Sequence, residues 1–288
     1  MKLYPIQCGK FKLDGGAMFG VVPKTLWEKT NPADERNLIE LATRSLLVED
    51  GKKLILIDCG LGNKQDEKFF GHYSLWGDDS LDKNLKKYGF VCDDITDVFL
   101  THLHFDHCGG AIEWNDDKTG YRPAFKNAHF WTNEEHWKWA TEPNPREKAS
   151  FLKENILPMQ DSGQLNFLPT PQNGNYGFAP DLKMDVIFVD GHTEKQMLPV
   201  IQYQEKTIVF AADLIPTTGH IPQVYVMGYD TRPLLTMEEK AKFLKQCVDN
   251  EYLLFFEHDA HNELASLKMT EKGVRLDETF SMNEVFGY

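Results

Sequence analysis

Thr101-His102-Leu103-His104-Phe105-Asp106-His107-Cys108-Gly109-Gly110 is the stretch on which the reading of this chain turns. Four potential metal ligands fall within six residues, and a diglycine follows them. The preceding Ile95-Thr96-Asp97-Val98-Phe99-Leu100 ends in a short apolar run whose Val and Phe fit a buried strand. Side chains alternate along an extended chain, so His102 and His104 should point the same way, opposite Leu103. Asp106 and His107 then fall on the turn that ends the strand. Gly109 and Gly110 allow a sharp bend and a close approach of backbone to an ion. A helix would present paired His ligands at i and i+4, whereas the spacing here is a strand-end solution. An isolated His-x-His is commonly a surface pair; an Asp, a third His and two glycines on the same turn make a metal site the better reading.

The second half repeats the design. Met184 to Val189 reads as a strand running into Asp190-Gly191-His192. Leu198 to Gln204 and Thr207 to Ala212 read as two more, the latter ending at Asp213. Tyr252 to Phe256 is a fourth, followed by Glu257-His258. Polar groups at the ends of apolar strands converge at one sheet edge, as sites of layered α/β proteins do. Earlier, Lys53 to Ile57 is an apolar strand ending at Asp58-Cys59-Gly60. Asp58 is either a local cap or an anchor that holds ligand loops by hydrogen bonds.

Between these strands, Ser80 to Tyr88 reads as a short helix capped by Ser80. Thr132 with Glu135, and Thr236 with Glu239, have capping-box spacing; the second opens an amphipathic helix to about Val248. His136 has no companions that would make it a ligand. Pro158 to Pro180 reads as loop, and Leu267 to Leu276 as a hairpin. No repeat and no clean linker divides the chain, so residues 1–288 are expected to form a single domain.

With 288 residues, 41% of them hydrophobic and 26% charged, the chain has the makings of a substantial globular core. No apolar run approaches membrane-spanning length, and Met1-Lys2-Leu3-Tyr4-Pro5 shows no signal peptide. A net charge of −13 without any basic run speaks against a nucleic-acid partner. Five cysteines without C-x-x-C spacing read as reduced thiols, which fits the cytoplasm. The expected partner is a small-molecule substrate, with no membrane; a second copy of the chain is left open.

His102-x-His104-x-Asp106-His107, Gly191-His192, Asp213 and His258 together resemble the metallo-β-lactamase-fold hydrolase superfamily. The resemblance covers nearly the whole chain. It implies an α/β fold, an αββα sandwich of two mixed β-sheets flanked by helices. True β-lactamases of the superfamily usually lack a His matching His107 and often carry Cys where this chain has Asp213. Glyoxalase II carries a helical region after its last His ligand, and ribonuclease Z-like enzymes need a positive surface. The chain is most similar to the N-acyl homoserine lactonase and methyl parathion hydrolase-like branch.

That resemblance implies two divalent ions, Zn²⁺ first, with Mn²⁺, Fe²⁺ or Co²⁺ as alternatives. By carry-over, His102, His104 and His192 hold one ion and Asp106, His107 and His258 the other, with Asp213 bridging. A bridging hydroxide would attack a lactone, ester or phosphotriester, and Asp106 would accept its proton. The alternatives are a non-hydrolytic di-iron or persulfide use of the same site and a glyoxalase II-like thioester activity. Met18, Phe19, Trp27 and Phe105 are candidates for an apolar substrate pocket, since they are bulky and sit near glycine turns or inside the motif; plain core is the other reading. The loop after Asp213 holds two hydrogen-bond donors, His220 and Tyr225, that would serve a developing oxyanion.

Overall fold

Lys53–Ile57 forms the strand its β-branched and apolar residues favour, and its last three side chains are buried. It pairs antiparallel with Leu38–Asp50 and parallel with Asp97–Phe99. Asp97–Phe99 pairs parallel with His129–Asn133, which in turn pairs parallel with Leu165–Leu168. Strands with parallel neighbours are typically covered on both faces, which is why Val98 and Phe99 have no polar alternation.

This is a computed structural model, and it describes residues 1–172 and 175–287. Two compact units emerge: Met1–Lys10 with Thr43–Asn173, and Phe11–Ala42 with Gly174–Tyr288. The six-stranded mixed sheet runs in the order Lys2–Asp14, Leu38–Asp50, Lys53–Ile57, Asp97–Phe99, His129–Asn133, Leu165–Leu168. In the first unit its core joins Leu47, Leu56, Val98 and Leu100 to Phe125, Phe130 and Ile156. The second unit carries a seven-stranded mixed sheet of the strands from Tyr176–Ala179 to Gly273–Phe280. Its parallel pair is Lys206–Phe210 with Leu253–Phe255, where Phe210 and Phe255 stack at 5.3 Å. The expected hairpin is there, as Leu264–Thr270 against Gly273–Phe280. Helices accompany both sheets. No described helix is long and apolar enough to cross a membrane.

Helix boundaries were the less legible part. Ser80 caps Leu81–Lys87 as expected, accepting from Lys83 N. Asn133, not Thr132, caps Glu134–Thr141: as the strand's last residue it places its Oδ1 within reach of His136 N, one position nearer the helix than Thr132. The long helix Pro233–Asp249 begins before Thr236, with Pro at its first turn, so Thr236 and Glu239 are interior and make no capping box. Pro158–Pro180 is not loop throughout. Lys153–Asp161 is helical through Pro158, and Leu165–Leu168 and Tyr176–Ala179 are strands; Asn173 and Gly174 lie outside the described residues. Asp106 and His107 sit in a short helix, Phe105–Cys108, that replaces the expected turn.

The diglycine serves a different need from the bend read in the sequence. Gly109 has an ordinary helical φ of −59°. A Cβ there would lie 2.1 Å from Leu61 O, and one at Gly110 would lie 2.1 Å from Cys59 O. The segment after the metal motif packs backbone to backbone on residues 59–62, tied by Gly110 N to Gly60 O at 2.9 Å. Gly109→Ala is therefore expected to cost about 2 kcal/mol or more of stability, since a packed backbone cannot give way cheaply. Gly71→Ala, with open space around its new methyl group, is the control and should be neutral or mildly stabilising. Urea unfolding compares the two, and equal stability would refute this packing account.

Candidate metal centre

Each unit carries its own set of buried donors. In the first unit these are His102 with His104, and Asp106 with His107; in the second they are His192, Asp213 and His258. All follow strand ends: Asp97–Phe99, Met184–Val189, Lys206–Phe210 and Leu253–Phe255.

Asp58 organises the first set. Its carboxylate accepts from Thr101 N at 2.8 Å and from Thr101 Oγ1 at 2.6 Å. It also lies 3.1 Å from His107 Nδ1. Asp58 holds these bonds from a left-handed backbone, φ 54°, that a non-glycine residue adopts only under constraint. The Thr101 hydroxyl gives its proton to Asp58, so it can only accept from His102 Nδ1, 3.1 Å away. Both imidazoles are thereby fixed as Nδ1–H tautomers, which leaves an Nε2 lone pair on each. His104 runs the other way: its Nε2 lies 3.5 Å from Glu147 Oε1 and its Nδ1 lies 3.1 Å from His102 Nε2. Asp106 Oδ1 is 3.9 Å from His107 Nε2. Leu103, between the two motif histidines, donates its N–H to His136 Nε2 at 2.8 Å. His136 thus has a positioning use.

The second set follows the same logic. His192 Nδ1 lies 3.0 Å from Asp230 Oδ1, and His258 Nδ1 donates to Ala42 O at 2.8 Å. Their Nε2 atoms each come within 3.1 Å of a different oxygen of Asp213: Oδ2 for His192, Oδ1 for His258. Glu239, on the long helix, accepts from Asp190 N and Gly191 N and so fixes the turn that delivers His192. Gly191 is required there, since a Cβ would meet Thr236 Oγ1 at 2.4 Å.

These contacts test whether a cation fits. Two imidazole lone pairs face each other at 3.1 Å in the His102–His104 pair, and each Asp213 oxygen faces an imidazole nitrogen whose proton sits on the far side. A cation between the atoms of each pair turns repulsion into ligation. Two nitrogens about 2.0–2.1 Å from one tetrahedral Zn²⁺ are a little over 3 Å apart, close to the spacing seen. Burial by itself would lower the His192 pKa, but Asp213 and Asp230 outweigh it and raise it to about 10, so this pocket favours positive charge. The donor set fits a divalent metal.

The remaining candidates are placed as follows. Met18 and Phe19 lie in the short helix Gly15–Phe19 and Trp27 in Lys24–Trp27, all three buried. Phe19 stacks between Trp27, at 5.2 Å, and His220, at 4.1 Å. Phe105 packs on Phe69 and Tyr73. His220 is fully buried, with Nε2 donating to Met18 O at 2.9 Å and Nδ1 accepting from Thr217 Oγ1 at 2.8 Å. Tyr225 is half-buried, with its ring edge on Phe19. Lys240 donates to His220 O, Pro222 O and Tyr225 O, which pins that whole loop.

A family model for the metallo-beta-lactamase superfamily matches residues 38–258. The chain belongs to this superfamily. Among its relatives is the N-acyl homoserine lactonase AiiA of Bacillus thuringiensis subsp. kurstaki, 24% identical over 275 residues, spanning 91% of this chain and 94% of that one. The Bacillus cereus N-acyl homoserine lactonase is 25% identical over the same shares. Among solved structures, a Staphylococcus aureus protein described as a probable metal-dependent hydrolase superposes with a TM-score of 0.85 at 28% identity, over 97% of this chain and 96% of that one. AidC, a dizinc quorum-quenching lactonase solved with a product, superposes with a TM-score of 0.78 at 23% identity, over 98% and 95%. This superfamily member has the α/β metallo-β-lactamase fold and is a metal-dependent hydrolase that uses divalent ions.

Among the contributors that escaped the sequence reading are Thr101, Glu147, Asp230, the Ala42 carbonyl and Glu239. Glu239 had a signal, but it was assigned to a cap. Thr101 directly precedes the motif, where an alternating strand would turn it away from Leu100. Asp230 and Ala42 had none, since only the fold brings them to His192 and His258.

His220 generates a pH prediction. Burial lowers its pKa to about 3, below the ordinary value of 6.5. The unfolded chain then binds a proton that the folded chain refuses. Its contribution to stability is complete above pH 6.5 and is lost as pH falls towards 3, by up to about 1.4 kcal/mol per pH unit. His220→Gln removes this term. The stability gap between wild type and variant, measured by urea unfolding, should be widest at pH 7 and narrow by pH 4; a gap that widens on acidification contradicts the buried neutral imidazole.

Proposed function

We propose that residues 1–288 act as one domain and hydrolyse a lactone, a small neutral molecule, at a dinuclear centre. His102, His104 and His192 would hold one ion, Asp106, His107 and His258 the other, with Asp213 shared through its two oxygens. Zn²⁺ is the simplest occupant for neutral imidazoles and carboxylates. The observation that carries this reading is the tautomer pattern, in which Nδ1 is anchored and Nε2 is offered by His102, His107, His192 and His258. Such outer partners orient metal-bound imidazoles throughout metalloenzymes. Similarity to lactonases along nine-tenths of the chain supports the substrate class.

When bound, a pair of divalent ions would supply a nucleophile from water near neutral pH and would polarise the ester carbonyl. Asp106, a carboxylate beside His107, would take the proton released from that water. Of the two donors on the loop after Asp213, Tyr225 takes the oxyanion role, because the His220 Nε2 proton is committed to Met18 O. His220 then positions Phe19 and Met18. Asp58 and Asp230 keep the imidazoles in register and touch no substrate.

The test is hydrolysis of an N-acyl lactone, followed by acid release, beside a thioester and a phosphotriester. The lactone should be turned over with the highest kcat/KM. Asp213→Ala should lower it by more than the about 10–100-fold that outer partners cost. Tyr225→Phe should lower kcat by about 10²-fold with metal content unchanged. Preference for the thioester would move the assignment to glyoxalase II-like chemistry, and full activity in Tyr225→Phe would remove the donor role.

A further inference from the structure

The first unit carries a cleft lined by none of the candidate metal ligands, with Phe69 packed between it and Phe105. It encloses about 730 Å³ and is lined in part by Lys64, Lys68, Lys118, Trp114, Tyr121 and Glu154. Lys64 lines it although only 5% of its surface is exposed. Its Nζ donates to Gly109 O at 2.5 Å. An ammonium has three N–H donors, and among the described residues no second acceptor meets this one. Burial pushes it down to about 8, the behaviour of a desolvated cation whose nearby charges only partly offset the loss of water. A buried cation with donors to spare favours an anion.

The remaining lining agrees. Lys68 and Lys118 add two exposed ammonium groups, against Asp66 and Glu154, a positive balance on a chain of net charge −13. Trp114 and Tyr121 face each other across the small hairpin Ile112–Trp114 and Tyr121–Pro123, with ring centroids 4.4 Å apart. Trp114 Nε1 donates to Lys64 O at 3.0 Å, so the indole is locked beside the lysine's own backbone. A flat apolar group gains most from such an aromatic pair.

We propose that this cleft is a second binding site, for a small carboxylate with a flat apolar body. Lys64, helped by Lys118, takes the carboxylate; Trp114 and Tyr121 take the body. Glu154 opposes the ligand's charge and limits its affinity.

Benzoate titrated calorimetrically into the metal-loaded protein at pH 7 is the probe, with benzyl alcohol as its neutral match. One saturable site is expected, with benzyl alcohol at least 10-fold weaker. Lys64→Met should weaken benzoate at least 10-fold. If that variant does not fold, the exposed Lys118→Glu replaces it and should weaken binding several-fold, while Glu154→Gln tightens it. The proposal is overturned if benzoate does not bind, if benzyl alcohol binds equally, or if Lys118→Glu and Glu154→Gln both leave affinity unchanged. It is also overturned if binding disappears when the metal is removed, which would put benzoate at the metal centre.

Discussion

The hydrogen bond from Nδ1 of His102, His107, His192 and His258 to a buried acceptor is the constraint on which this molecule depends. Neutral imidazole has two tautomers, and only a fixed partner chooses between them. Here the partners are the Thr101 hydroxyl, the Asp58 and Asp230 carboxylates and the Ala42 carbonyl. Each acceptor is itself held. Asp58 is tied to Thr101 N, Asp230 accepts from Met227 N at 3.1 Å, and Ala42 N donates to His258 O. The rings are therefore oriented before any ion arrives, which limits the ordering that binding must impose.

Such a site must be surrounded by groups that tolerate burial of charge. Two lysines do this without an acid partner in contact, each by donating to backbone carbonyls: Lys64 to Gly109, and Lys240 to three carbonyls between His220 and Tyr225. Burial drives Lys240 down to about 7. Close backbone packing does the rest. Gly109, Gly110 and Gly191 admit neighbours where any side chain would collide. Strained backbone at Asp58 and Ala212, both with positive φ, sits beside the donors. Strain of this kind persists where surrounding contacts over-determine the conformation.

Much of this was legible in the sequence, for a physical reason. Ligands of this type sit where apolar strands end, and a strand's apolar run is written locally in residues such as Lys53 to Ile57 and Leu253 to Phe255. Spacing within His102-x-His104-x-Asp106-His107 is equally local. What was not legible depends on distant partners. Nothing near Asp230 announces His192, 38 residues away, and nothing near Ala42 announces His258. Glu239 was misread because capping and cross-chain anchoring both use an acid after a threonine, and only the fold tells which backbone N–H groups it meets. The diglycine was misread similarly: a glycine chosen for close approach looks the same as one chosen for a bend.

The central proposal is that the anchored imidazoles and Asp213 serve one centre for two ions. Metal stoichiometry of the purified protein by elemental analysis, with Asp58→Asn alongside, tests it most directly. The account predicts close to two divalent ions per chain in wild type. It predicts loss of ions in folded Asp58→Asn, because the amide cannot both accept from Thr101 and keep His107 in its Nδ1–H form. Two ions retained in Asp58→Asn, or an active wild-type protein with none, would contradict it.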